Sequence, residues 1–205
     1  MNENDTFRIV LVVCLLAVLP IGISSRLKSR TGEKLDRRQE GMFILATLRP
    51  VGLAFWLGLI AYIVNPSWMT WSAVPLPAWL RWTGVGVWVV AGGLLFWTLR
   101  HLGSNLTDTV VTRREHTLVT DGPYRWVRNP FYDAAALLIL AISLVVANWF
   151  LLMVGGLGFV LLVIRTRTEE EKLLARFGED YQAYMTRAGR FLPRSRANQR
   201  ESNMR

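Results

Sequence analysis

The chain has 205 residues, 52% of them hydrophobic and 19% charged, with nine tryptophans and a formal net charge of +9. Its apolar runs are too long for an ordinary soluble domain. No nucleic-acid fold signature accompanies the positive charge, which instead fits basic loops flanking membrane helices, so nucleic acid is excluded as a partner in favour of membrane lipids.

Phe7 to Ser24 forms the first predicted transmembrane helix, with a kink at Pro20 near its end and the only cysteine, Cys14, inside it. A single cysteine forms no intrachain disulfide and reads as a small buried hydrophobe. The segment ahead of this helix carries Glu3 and Asp5 and no basic residue, the reverse of a secretory leader, so the helix is expected to stay uncleaved with its N-terminus outside. A basic loop, 26–40, follows. The second helix is predicted over Met42 to Val64, interrupted by Arg49-Pro50. Asn65 to Trp79 has no charge, three prolines and the tryptophans Trp68, Trp71 and Trp79, as suits an outer interfacial segment. The third helix is predicted over Leu80 to Leu99.

The chain is polar from Arg100 to Arg128. Ala134 to Ile164 is then almost unbroken apolar sequence. As one straight helix these 31 residues would rise about 46 Å, beyond a hydrocarbon core of about 30 Å. A helical hairpin over 134–164, turning near Ala147-Asn148-Trp149, fits better. Five crossings with the C-terminus in the cytoplasm place all but Arg8, Arg49 and Arg81 of the 24 lysines and arginines on one side. The fold class is therefore an all-α, multi-pass inner-membrane protein. Its expected organisation is N-terminal helices over 1–99, a chemistry-bearing region over 100–193 and a basic, disordered tail over 194–205. Thr168 to Ala188 reads as a separate amphipathic cytoplasmic helix pair, started by a Thr168 cap and broken at Gly178.

Two cytoplasmic segments carry candidate chemistry. His116 to Tyr132 holds two turn signals, Gly122-Pro123 and Asn129-Pro130, around Tyr124, Arg125, Trp126 and Arg128. Such a loop offers amides, aromatic faces and cations to a planar heterocycle with a charged tail, or equally seats its aromatics among lipid headgroups. In the second segment Arg165 and Glu169 share a helical face, and Glu169 to Glu171 form three successive carboxylates. These suit a cation, a ribose diol or an ammonium, or form a solvated capping turn. His101 and His116 have no cysteine or histidine spacing for zinc, so no metal is expected. Gly92-Gly93 and Gly155-Gly156 read as close helix packing.

Together the segments resemble the isoprenylcysteine carboxyl methyltransferase family, within a wider group of membrane methyltransferases that includes phospholipid N-methyltransferases. The resemblance rests on Leu118-Val119-Thr120-Asp121-Gly122-Pro123-Tyr124, on Arg128-Asn129-Pro130-Phe131-Tyr132, and on Arg165, Glu169-Glu170, Leu173, Phe177-Gly178 and Tyr181. It implies S-adenosyl-L-methionine as cofactor. The implied cofactor contacts are His116, Thr117, Leu118, Val119, Gly122, Tyr124, Arg128, Asn129, Pro130, Phe131, Tyr132, Glu169 and Glu170. Arg165 and Glu169 are the implied catalytic pair, with Arg165 facing the acceptor. The implied reaction is carboxyl O-methylation of an isoprenylcysteine-like, lipophilic acceptor that enters from the bilayer. The alternatives are a phospholipid or amine N-methyltransferase and, in other classes, an NADPH-dependent membrane reductase or a non-catalytic scaffold. The chain departs from the family pattern at Asn129, where a histidine is usual, and at Asp133, where a glycine is usual. Asn129 keeps hydrogen bonding but does not titrate near neutral pH.

Overall fold

The computed structural model describes residues 3–28, 44–103 and 118–194. The basic loop 26–40, the predicted contacts His116 and Thr117, and the tail from 195 onward fall wholly or largely outside these residues. Backbone amides have no solvent partner in a bilayer, so apolar segments of this length must satisfy them internally. The described chain accordingly folds as five helices: α1 (Glu3–Lys28), α2 (Arg49–Val64), α3 (Ala78–Leu102), α4 (Pro130–Val146) and α5 (Trp149–Arg187). Four of them are long and apolar enough to cross a membrane, and α4 is a shorter apolar helix. At 17 residues α4 rises about 25 Å, close to a hydrocarbon thickness. Large apolar side chains such as Leu53, Val89, Val90 and Met153 point outward, as a lipid-facing surface requires.

Pro50 lies in the first turn of α2, directly after a π-helical turn over Ile44–Leu48, so its missing N–H falls at the junction of the two pitches. The predicted interruption of the second helix is thus a change of helical pitch at Arg49. Pro66–Ser72 forms a 3-10 turn, and Trp68, Trp71 and Trp79 are exposed as an interfacial aromatic belt predicts. The α4–α5 hairpin reverses at Ala147, in the left-handed conformation, and Asn148, whose side chain accepts from the Leu151 N–H. Asn148 Nδ2 also donates to Ser72 Oγ at 2.7 Å, tying the hairpin tip to the 3-10 turn.

α5 differs from the expected arrangement. It runs without a break from Trp149 past Thr168 to Phe177, so Thr168 is an exposed residue inside a helix and caps nothing. The reason is local: Arg165 and Glu169 pair at i, i+4 where the helix leaves its apolar stretch, and no turn residue intervenes. The predicted break at Gly178 is present, with φ of +52°.

α3 packs most extensively on α4. Gly84 permits the approach: a Cβ there would stand 2.8 Å from the Leu144 Cβ. Gly155 does the same between α5 and Ile139 of α4, whereas Gly93 and Gly156 face open space. The largest apolar cluster, with Phe7, Leu11, Leu59, Trp88, Val145 and Leu151, fills the end of the bundle at the hairpin tip. Arg81 is buried there. Its Nε and Nη2 donate to the Val145 carbonyl at 3.0 and 2.9 Å, and its Nη1 donates to Asn4 Oδ1 at 2.9 Å. Its guanidinium also lies 3.8 Å from the centre of the Phe7 ring. One side chain thereby joins α1, α3 and a C-terminal carbonyl of α4 that has no helical partner. Arg81→Ala is expected to destabilise the protein by about 3 kcal/mol, and Arg81→Lys to recover only part, because one ammonium does not reproduce the fork. Thermal unfolding in detergent measures both.

Candidate functional site

The hairpin brings the start of α4 beside the part of α5 that follows its apolar stretch, which ends at Ile164. There Tyr132 Oη donates to Glu169 Oε2 at 2.7 Å. Arg165 Nε lies 2.9 Å from the other oxygen, Oε1. That N–H is not aimed along the contact and has no well-directed acceptor, so the interaction is Coulombic.

The loop ahead of α4 is held by the far end of the chain. Gly122–Arg125 makes one 3-10 turn, and Val127 then pairs with Gly189 in a parallel bridge. The Arg128 N–H donates to the Gly189 carbonyl at 2.7 Å, and the Asn129 N–H and Nδ2 both reach the Arg190 carbonyl at 3.2 Å. Tyr184 Oη donates to the Tyr124 carbonyl at 2.6 Å. Arg128 completes the clamp: Nη1 donates to the carbonyls of Met185 and Ala188, and Nε donates to Glu170 Oε1 at 3.1 Å. Arg190 closes on the same carboxylate from the other side.

These elements enclose a cleft. Of the predicted cofactor contacts, Leu118, Val119, Tyr124, Arg128, Asn129, Glu169 and Glu170 line it. Gly122, Pro130, Phe131 and Tyr132 lie outside that lining, as does Arg165. Pro130 is fully buried in the first turn of α4, Phe131 is exposed, and Tyr132 stands behind Glu169. Leu102, Leu173, Tyr181 and Tyr184 also line the cleft and were not among the predicted contacts. Leu173, Tyr181 and Tyr184 lie on the apolar face that the sequence pattern already marks. Leu102, the last residue of α3, carries no such signal.

The two adjacent glutamates differ electrostatically. Burial pushes the Glu169 carboxyl above the ordinary carboxylate range, although the Arg165 charge and the Tyr132 hydrogen bond pull it down. Burial also acts to lift Glu170, but the Arg190 hydrogen bonds and the charges of Arg128 and Arg190 outweigh it and hold that carboxyl below its ordinary value. Burial, with the neighbouring Glu170 charge, pushes the Tyr181 phenol up to about 12, and burial raises Tyr124 and Tyr184 as well. The three phenols are therefore neutral at physiological pH, and the Tyr184 proton is already given to the Tyr124 carbonyl. The cleft offers the aliphatic side chains of Leu102, Leu118, Val119 and Leu173, the phenols of Tyr124, Tyr181 and Tyr184, and the carboxylates of Glu169 and Glu170.

A group whose folded value lies below its unfolded one stabilises the protein above the unfolded value, and that contribution fades as pH falls through the folded value. Glu170→Gln should therefore cost about 2 kcal/mol at neutral pH. The gap from the parent chain should stay constant down to about pH 5 and shrink below the ordinary value of 4.5. Unfolding followed across pH in detergent checks this.

Residues 84–175 match the profile described as the isoprenylcysteine carboxyl methyltransferase family. The chain is 32% identical over 162 residues to a human protein-S-isoprenylcysteine O-methyltransferase, with 67% of this chain and 55% of that protein covered. A rat protein of the same name is 30% identical, with the same coverage. The chain thus spans about half the length of the curated relatives it matches. A solved structure of the eukaryotic intramembrane Ras methyltransferase aligns with a TM-score of 0.53 and 21% identity, over 78% of this chain and 54% of that one. At that identity the likeness is one of fold, and it agrees with an all-helical, multi-pass membrane architecture.

Proposed function

We propose that this chain, whose residues 84–175 belong to the isoprenylcysteine carboxyl methyltransferase family, is an integral membrane methyltransferase that uses S-adenosyl-L-methionine on a lipophilic acceptor bearing a carboxylate, isoprenylcysteine-like in kind. The observation that carries this reading is the hairpin, which sets the Tyr132–Glu169–Arg165 contact against the lined cleft at the end of the membrane helices. The lining suits the cofactor: aliphatic side chains for a purine, and the Tyr124 and Tyr181 phenols with the carboxylates for a ribose and a cationic amino acid group.

When bound, this cofactor supplies a methyl group already activated on a sulfonium. The protein's part is then to orient and to exclude water. Leu118, Val119 and Leu173 exclude water from the cleft. Glu169, held by Tyr132, presents a fixed carboxylate oxygen toward positive charge. Arg165 lies one turn before it, at the edge of the bilayer, where its guanidinium anchors an acceptor carboxylate while the acceptor's apolar part stays in lipid. The carboxylate is its own nucleophile, so Asn129 in place of a titratable histidine does not obstruct transfer.

Arg165→Ala should lower methyl transfer to an isoprenylcysteine carboxylate at least about 100-fold, because the acceptor loses its anchor, while cofactor binding is kept. Radiolabelled methyl transfer and calorimetric binding separate the two effects. Binding of NADPH alone would replace this reading with a reductase, binding of neither nucleotide with a scaffold, and label in an amine headgroup with an N-methyltransferase.

We also place the cleft on the cytoplasmic side of an inner membrane and the N-terminus outside. α1, α2, α3 and α4 each bring to Arg81 the end remote from the cleft, and the described cations of the predicted basic segments, among them Arg128 and Arg190, lie on the cleft side. In a Cys14→Ala background, Asn4→Cys should react with an impermeant maleimide in intact cells, and Arg194→Cys only after permeabilisation.

A further inference from the structure

The last turn of α3 meets the loop that carries Tyr124 and Arg128. Gly122 has φ of +57°, and a Cβ built on it would lie 2.5 Å from His101 Cγ and Cδ2 and 2.7 Å from Nε2. The imidazole therefore stands where any side chain at 122 would go. The ring is fixed in turn. Nδ1 lies 2.9 Å from the Trp97 carbonyl, and the ring meets the Trp97 indole edge-on at 6.1 Å. Trp97 packs on Trp126 at 5.5 Å, so α3 grips both ends of the short turn. The next residue of α3, Leu102, lines the cleft together with Tyr124.

We infer that His101 is a positioning residue for cofactor binding. Its ring is the stop against which the Gly122 turn seats, and it sets how far Tyr124 and Arg128 reach into the cleft. This deepens the methyltransferase reading and rests on it for the identity of the ligand. Gly122 is then required for two separate reasons, its left-handed backbone and the space taken by His101.

A swap tests this. In the full-length protein in nanodiscs, His101→Ala lets the turn slacken and Gly122→Ala drives it off the ring; each should weaken S-adenosyl-L-methionine binding about tenfold. The double variant should bind at least about threefold better than Gly122→Ala alone, because the new methyl enters the vacated space. His101→Phe, which keeps a flat ring of similar reach, should bind within about threefold of the parent. Unfolding temperatures of His101→Ala and the parent should agree closely, which a general packing role would not allow. Unchanged binding in His101→Ala, or a double variant as weak as the product of the singles, overturns the inference. If the parent chain fails to bind the cofactor, the methyltransferase reading falls. The same cycle is then read from amide hydrogen exchange at Tyr124, Trp126 and Arg128: faster exchange in both singles and recovery in the double support the stop, and additive effects refute it.

Discussion

The reversal at Ala147 and Asn148 is the constraint on which the rest depends. Two residues turn an apolar stretch too long for one crossing into two antiparallel arms. Ala147 takes the left-handed conformation without being glycine, and Asn148 holds it there, accepting from the Leu151 N–H and donating to Ser72. Everything at the other end follows from that registration. The start of α4 and the charged extension of α5 become neighbours, and Tyr132 meets Glu169 across 37 positions of sequence.

The extension of α5 then serves twice. Leu173, Tyr181 and Tyr184 line the cleft, and Glu170, on the same side of the helix, anchors the loop that brings Tyr124 and Arg128 to it. Glu169 and Glu170 are neighbours with opposed electrostatics because only Glu170 is flanked by two guanidinium groups. A carboxylate neutralised by arginines on both sides holds structure. One that is buried, partly paired and open to the cleft retains capacity for a ligand.

Much of this was legible in the sequence because the bilayer imposes length. The hairpin was anticipated from 31 apolar residues and a bilayer thickness, and Gly178 from glycine's conformational reach. The meeting of the two polar segments followed from the hairpin. What stayed hidden depends on contacts between distant positions. Arg128 reads as a cation offered to the cofactor, and only the fold shows its guanidinium spent on Met185, Ala188 and Glu170. Arg81 reads as an outlier in a charge count, and only the fold shows it joining four helices. Thr168 looks like a cap because its local pattern fits one, but a helix already under way from Trp149 has no free amides there to cap.

The parallel bridge between Val127 and Gly189 has a consequence for how the protein is made. Beside that bridge Arg128 and Ala188 are 60 positions apart, and everything between them is the hairpin and its extension. During synthesis the membrane helices can insert and pack in order as they emerge. The loop at 122–129 must wait, without its partner, until Arg190 has left the ribosome. Bilayer insertion and completion of the cleft are therefore separate events in time, and the cleft is the last part of the described fold to close.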